Sequence, residues 1–448
     1  MTSTEQELLS EIRDALPGVD ASMLVLETQG GLPGAFPVSE LATAAIASAG
    51  LAAARLSGAS EVTVDRQLAS TWFGMTLDPI GWELPPVWDA VSGDYSTLDG
   101  WIRIHANAPR HRAAALTVLG VTESAEAVRA AVSRWTGADL EDAVVEAGGC
   151  AAVMKTADEW AHSLGGRAVS RQPVIEWRDL HSGAEERAWG TPTRPLAGVR
   201  VLDLTRVLAG PVATRFLALL GADVVRIDPP EWNEGVIPEV MLGKRSARLD
   251  LTTDAGRAAF VGLLASADAI VHGYRFGALE DLGFGLWKRQ AIRPGLVDVT
   301  LDAYGWYGPL SLRRGFDSLI QMSTGIAHAG MITTGADKPV PLPVQANDQA
   351  TGYLMAAALL SALACRRETG TGRAARLSLA RTAQLLLDRP GAGEHGGFDR
   401  PRSELFADEV EDTAWGPARR IRVPLSIDGV TFAASGARAL GGDEPRWA

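Results

Sequence analysis

Cysteine is nearly missing. Cys150 and Cys365 are the only two in 448 residues, too few for a disulfide framework or a zinc knuckle. That scarcity suits a reducing cytoplasm. Positive charge is also short: 42 Lys and Arg stand against 54 Asp and Glu, a net charge of −12 at pH 7. The sign disfavours nucleic acid and membrane surfaces as partners. An anionic ligand would have to be drawn in by a local group of cations or backbone N–H groups. Long apolar runs are absent as well. The stretch from Tyr353 to Ala364 falls short of the roughly 20 residues a membrane-spanning helix needs. The stretch Met1 to Leu16 is polar with helical spacing and has no apolar core of the signal-peptide kind. What is present, 46% hydrophobic and 21% charged residues, fits a soluble globular chain of two or three domains at about 150 residues each.

A run rich in Arg, Pro and Gly, Arg187 to Pro195, separates two compositionally similar halves. After it, Val199 to Leu204 reads as a strand, Ala209 to Leu220 as an amphipathic helix, Gly221 as its stop and Asp223 to Asp228 as a second strand. A helix from Asp254 to Ala265 then leads to the strand Ala269 to His272, and a shorter one to Leu296 to Leu301. Strands alternating with helices predict an α/β fold with an open, doubly wound, Rossmann-like parallel sheet over about 196–310.

Two segments echo each other. Leu41 to Asp65 and Gly352 to Leu379 are each an Ala-rich helix with a basic end, a Gly turn and a strand. Pairing Arg55 with Arg367 and Gly58 with Gly370 uses one offset of 312. The pattern predicts a partial internal duplication. At that offset Asp348 pairs with Phe36, so the first copy carries no carboxylate at the equivalent place. Asp348 itself stands just ahead of a long helix, in QANDQATG. A carboxylate there serves either as an ordinary cap or as a group held ionised and pointed at a ligand.

The stretches PLAGVRVLDLTRVLAGPVATRFLALLGADVVRIDPP, GKRSARLDLTTDAGR, ADAIVHGYRFGALEDLGFG, GFDSLIQMSTG and PVQANDQATGYLMAAALLSALACRRETGTGRAARLSL follow one another over most of Pro195 to Leu387. In them the chain resembles the class III CoA-transferases, the family of formyl-CoA transferase, carnitine CoA-transferase and α-methylacyl-CoA racemase. The resemblance implies transfer of coenzyme A between an acyl-CoA and a free carboxylic acid, with no metal. Asp348, with Gly352, occupies the place of the nucleophile in the D-x-x-x-G stretch. The helix dipole would keep it ionised, Gly352 would leave room for the thioester, and N–H groups at the helix start or in a glycine loop would hold the oxyanion.

The same resemblance places Val207, Leu208 and Ala209 against the adenosine and pantetheine ends of coenzyme A. Lys244 and Arg245, in GKRS, become phosphate partners or else a solvated turn. Gly273 and Tyr274 stand where members often carry Asn-Phe, and Asp281 where they often carry a phosphate-binding Arg. Phe316 replaces the His that serves the racemases as a base. Asp317 matches an acidic position near the active site of formyl-CoA transferase, or is a cap. His328 reads as structural.

The resemblance also orders the halves. Residues 1–190 become a degenerate copy that contributes the small α/β domain, at about 75–185, and 196–448 the large domain. An interlocked homodimer is implied, crossing through the linker 181–195. Two further readings stay open: an acyl-CoA isomerase or racemase with Asp348 as base, and a non-catalytic acyl-CoA binder.

Overall fold

A computed structural model describes residues 1–182, 188–391 and 397–448. Residues 183–187 of the expected linker, Arg187 among them, lie outside the described residues. Seven strands form the main sheet: β1 (Glu176–Ser182), β2 (Arg200–Leu204), β3 (Asp223–Asp228), β4 (Arg245–Arg248), β5 (Ala269–His272), β6 (Val297–Asp302) and β7 (Thr371–Ser378). Their spatial order is β4-β3-β2-β5-β6-β7-β1, parallel throughout except for β1, which runs antiparallel to β7 at the edge. β3, β5 and β6 are buried almost throughout, as parallel strands covered on both faces must be. The chain winds outward in one direction from β2 and in the other from β5. A topological switch point therefore lies between β2 and β5, and ligands of such sheets sit outside the carboxyl ends of the strands there.

One hydrophobic core runs through both halves, joining Leu8, Ile46 and Leu56 to Val201, Phe216, Leu359 and Leu385. At its centre lie two long helices, α1 (Val38–Ser57) and α4 (Ala346–Thr369), packed against each other. Their ends correspond closely. Each begins after a residue in the same conformation, Pro37 at φ −78°, ψ 66° and Gln345 at φ −75°, ψ 66°. In both, the first helical N–H reaches back two residues, Val38 to Phe36 at 2.9 Å and Ala346 to Val344 at 2.8 Å. Each ends on a left-handed glycine, Gly58 and Gly370.

The offset is therefore 312 at the glycine ends but 308 at the starts, because α1 has 20 residues and α4 has 24. Asp348 corresponds in place to Glu40, the third helical residue of α1, and not to Phe36. The expected pairing with Phe36 is corrected: the two helices differ in length by four residues, about one turn, so matching their glycine ends does not match their starts. Gly352 also differs from expectation. A Cβ on it would stand 2.4 Å from the Ala209 carbonyl and 2.9 Å from Val212 Cβ. Its bareness lets α4 approach helix α2 (Ala209–Leu219) rather than making room for a ligand.

A second core gathers Val91, Tyr95, Ile102, Val128, Leu140 and Val144. It lies under the antiparallel strands Gly93–Ser96, Trp101–Ile104 and Ala151–Val153 and the helices Pro109–Leu119, Ala125–Val132 and Gly137–Glu146. The end of the chain closes on the first half: Leu425–Ile427 pairs with Val62–Asp65, and Gly416–Ile421 with Leu77–Pro79. Among the described residues no helix is long and apolar enough to cross a membrane.

Candidate active site

Residues 205–209 form the first βα turn at the carboxyl end of β2, and Gly273 and Tyr274 follow β5, so both sit at the switch point. Val207 is held in the left-handed region, φ 65°, and its N–H donates to Glu234 at 2.8 Å. A β-branched residue there stores about 1–3 kcal/mol of strain. Beneath the turn, Asp203 and Lys244 are wholly buried, and the Lys244 amine donates to Asp203 at 3.1 Å and to the Pro211 carbonyl at 2.8 Å. Burial pulls this amine down to about 8 although Asp203 opposes it. Lys244 ties β4 to the turn from below and faces no ligand space. Arg245 is spent on Asp223 at 2.5 Å and on the Arg446 carbonyl at 2.6 Å, at the outer edge of the sheet. The family resemblance made both either phosphate partners or part of a solvated turn. Their geometry gives them structural bonds, because the turn that carries them folds under β2 and away from the crevice.

Asp348 sits in the first turn of α4, almost fully buried, with Asp317 directly behind it. Asp317 opens helix α3 (Asp317–Ser323) and caps α4. Its two oxygens accept from the Asp348 N–H at 2.9 Å, the Asn347 side-chain amide at 3.0 Å and the Gln321 amide at 2.6 Å. Burial, and then the Asp317 carboxylate, hold Asp348 well above the ordinary carboxylate range, and burial raises Asp317 too. The expected dipole effect is outweighed. The N–H groups of the helix start are also taken, by Val344 and Asp317, so they offer no oxyanion site. Beside Asp348, the Gln349 side chain makes no hydrogen bond with another described residue, and its carbonyl oxygen is buried.

Two lobes of open space meet at Asp348. The smaller, about 350 Å³, is bordered by Arg110, Arg206, Arg275, Arg313 and Arg314 together with Ala209, Gly273 and Tyr274. Arg206 lies between the rings of Trp232 and Tyr274, 4.6 and 5.0 Å from their centroids, and donates to the Tyr274 hydroxyl at 2.9 Å. Arg313 is paired with Glu141. Burial, then the charges of Arg314, Arg206 and Arg275, hold Arg110 below its ordinary value, the mark of cations crowded together. Asp302, at the end of β6, is pushed up to about 7 by burial.

The larger lobe, about 780 Å³, is walled by Phe73, Trp88, Trp232, Phe316 and Trp415 and includes Leu208, His105 and Gln349. The His105 ring stacks on Phe316 at 3.7 Å, and burial pushes it down to about 3. Val207, Trp232, Phe316 and Asp348 border both lobes. Of these four only Asp348 carries an ionisable side chain.

The crevice thus brings together Val207, Leu208, Ala209, Gly273, Tyr274 and Asp348, with Asp317 behind. It leaves out Lys244, Arg245, Asp281 and His328. Sequence reasoning missed the arginines, although the signal was adjacent: Arg206 precedes Val207, Arg275 follows Tyr274 and Arg314 lies two residues before Phe316. Asp281 borders neither lobe, whereas Arg275 borders the smaller one. Arg110 and His105 come from the first half, where no neighbouring motif marked them. Among the described residues no cluster of three or more His, Cys, Asp or Glu could hold a metal ion.

Residues 196–404 match the family described as CoA-transferase family III. An acetyl-coenzyme A transferase, nodX, of Hypoxylon pulicicidum is 35% identical over 208 residues, 45% of this chain and 34% of that protein. An acyl-CoA transferase of Gibberella moniliformis is 27% identical over 347 residues, 72% of this chain and 60% of that protein. A crystal structure of Rv3272 from M. tuberculosis shares 32% identity and a TM-score of 0.40, over 43% of this chain and 56% of that one. The chain spans about a third to three fifths of the length of these proteins.

Proposed function

We propose, on the match of residues 196–404 to CoA-transferase family III, that the chain moves coenzyme A between an acyl-CoA and a free carboxylic acid, with Asp348 as nucleophile. The observation that carries the reading is the position of Asp348: among the described residues it is the one ionisable residue bordering both a cation-lined lobe and an aromatic lobe. The first suits the phosphates of coenzyme A, the second an acyl group.

The chemistry balances without a cofactor. The Asp348 carboxylate attacks the thioester carbonyl, a C–O bond forms, the C–S bond breaks, and a mixed anhydride and CoA thiolate result. The thiolate attacks the Asp348 carbonyl, releasing the donor acid and leaving an aspartyl-CoA thioester. The acceptor carboxylate attacks that thioester, and the thiolate returns to the acceptor carbonyl, freeing Asp348. Asp348 must lose its proton first, so activity rises with pH through its raised pKa. With the backbone donors of the helix start occupied, the Gln349 amide, turned so that its NH₂ faces the lobe, supplies the oxyanion donor in this proposal. Asp317 acts by holding the helix start and setting the pKa of Asp348.

The reading includes residues 1–190 as a degenerate copy and 196–448 as the large domain; the matching ends of α1 and α4 support the duplication. It also includes the interlocked homodimer, for which sedimentation at micromolar concentration is the test; a stable single-chain species removes that part alone. For the chemistry, the test is incubation with acyl-CoA and hydroxylamine: a hydroxamate at Asp348 supports transfer, and a label elsewhere refutes it. His105, neutral and in the same lobe, favours one second reading, proton exchange at the acyl α-carbon with Asp348 as base. Uptake of deuterium from D₂O at that carbon without any exchange of thioesters would establish it.

A further inference from the structure

The larger lobe is wide, aromatic and without a cation. Trp88, Trp232, Trp415, Phe73 and Phe316 wall about 780 Å³, within the range of about 300–1,000 Å³ that holds sizeable organic ligands. No lysine or arginine borders it among the described residues, whereas five arginines border the smaller lobe. Apart from Asp348, its charged groups are acidic and engaged elsewhere. Asp89 bonds Arg112 at 2.6 Å, Glu234 bonds Arg226 at 2.7 Å, and Glu239 bonds Arg215 at 2.5 Å. His105 offers no charge, since burial keeps it neutral. A second carboxylate entering this lobe would shed water, find no cation and face acidic neighbours.

Building on the transferase reading, we propose that this lobe selects bulky apolar or aromatic monocarboxylic acids and rejects dicarboxylic ones. The aromatic walls bury the hydrocarbon, and the single carboxyl group stays beside Asp348 where it reacts.

Calorimetry on the full chain with decanoate, cinnamate and succinate at one pH tests the preference without turnover. Decanoate or cinnamate is expected to bind at least about 100-fold tighter than succinate. Val87, half exposed and bordering the lobe, gives a charge-introducing control. V87R is expected to weaken decanoate and strengthen succinate, which binding to an unrelated apolar patch would not do. Equal or tighter binding of succinate, or decanoate binding unmoved by V87R, overturns the proposal. Thioester exchange, followed by mass spectrometry, separates the two readings. Decanoate binding without exchange of any acyl-CoA sinks the transferase and leaves the lobe's selectivity standing. Succinyl-CoA exchanging as fast as decanoyl-CoA sinks the selectivity and leaves the transferase.

Discussion

Glu40 and Asp348 hold the same place in twin helices, and their surroundings could hardly differ more. Both are the third residue of a long buried helix entered through the same backbone turn. Glu40 meets a cation: its carboxylate bonds Arg66 at 2.8 Å, and Arg66 also holds Glu5. Asp348 meets another acid, Asp317, and opens on a crevice. A buried carboxylate with a matched cation fixes structure, and removing one partner costs about 3–5 kcal/mol. One held beside a like charge is costly to ionise, and that cost persists at sites where reactivity is useful. The helix start is a common frame. What lies behind it decides whether the carboxylate is paired with a cation or held beside a like charge.

The sharpest way to break this contrast is to neutralise each carboxylate in turn. Asp348→Asn should lower CoA transfer by on the order of 10⁶, the scale of losing a covalent nucleophile. It should also stabilise the fold at neutral pH. A carboxyl whose folded pKa is raised contributes its stability in full below the ordinary value near 4 and loses it as pH rises through the raised one. The variant, with nothing to ionise, should gain on the wild type as pH climbs, which urea melts at pH 4 and pH 8 would measure. Glu40→Gln should do the reverse, leaving kcat near normal while lowering stability by about 3 kcal/mol. Near-normal transfer in the Asn variant would end the distinction.

Gln349 sharpens the comparison at the next scale. Its counterpart beside Glu40 is Leu41, a core residue, so an amide is present only where a cavity opens. Gln349→Leu should cost about 10²–10³ in kcat if the amide meets the oxyanion, with KM little changed. A loss confined to KM would assign it to binding instead. Asp317→Asn comes third. It preserves an acceptor for the Asp348 N–H but removes the neighbouring charge, so the Asp348 pKa falls and the acid limb of the pH–rate profile moves to lower pH. A limb that stays in place would show that burial alone sets the shift.

How much of this was legible follows from where each signal resides. β3 and β5 have the bounds their buried β-branched runs predicted, and β2 and β6 lie within one residue of theirs, because a parallel strand covered on both faces writes itself as an apolar run. Asp348 stood out by its place before a long helix. β1 did not, since nothing local tells an edge strand from the first half which sheet it will join. The Phe36 pairing failed for a related reason. A length difference of four residues is close to one turn of 3.6, so the two helices share a buried face and a sequence pattern while their starts differ. Lys244 was misread because a basic residue after a glycine usually meets solvent; here the chain folds its amine under β2 onto Asp203.

Val207 gives the smallest effect and a test of whether the crevice is held under tension. A turn of the first half, at Thr28 after Leu24–Glu27, also has a left-handed residue, φ 60°, but it borders neither lobe. Threonine and valine are both β-branched, so each position carries a similar conformational cost. Replacing Val207 by Gly removes that cost, and against it stand the lost contacts of a half-buried side chain and the freer unfolded chain. The net change in stability should be within about 1 kcal/mol. Transfer should nonetheless fall several-fold, through KM rather than kcat, because the turn borders both lobes at Asp348 and a flexible glycine no longer holds its shape against the ligand. Thr28→Gly should show the same small stability change and no kinetic effect. If both variants behave alike in the assay, the strain at Val207 belongs to the fold and has no part in the site.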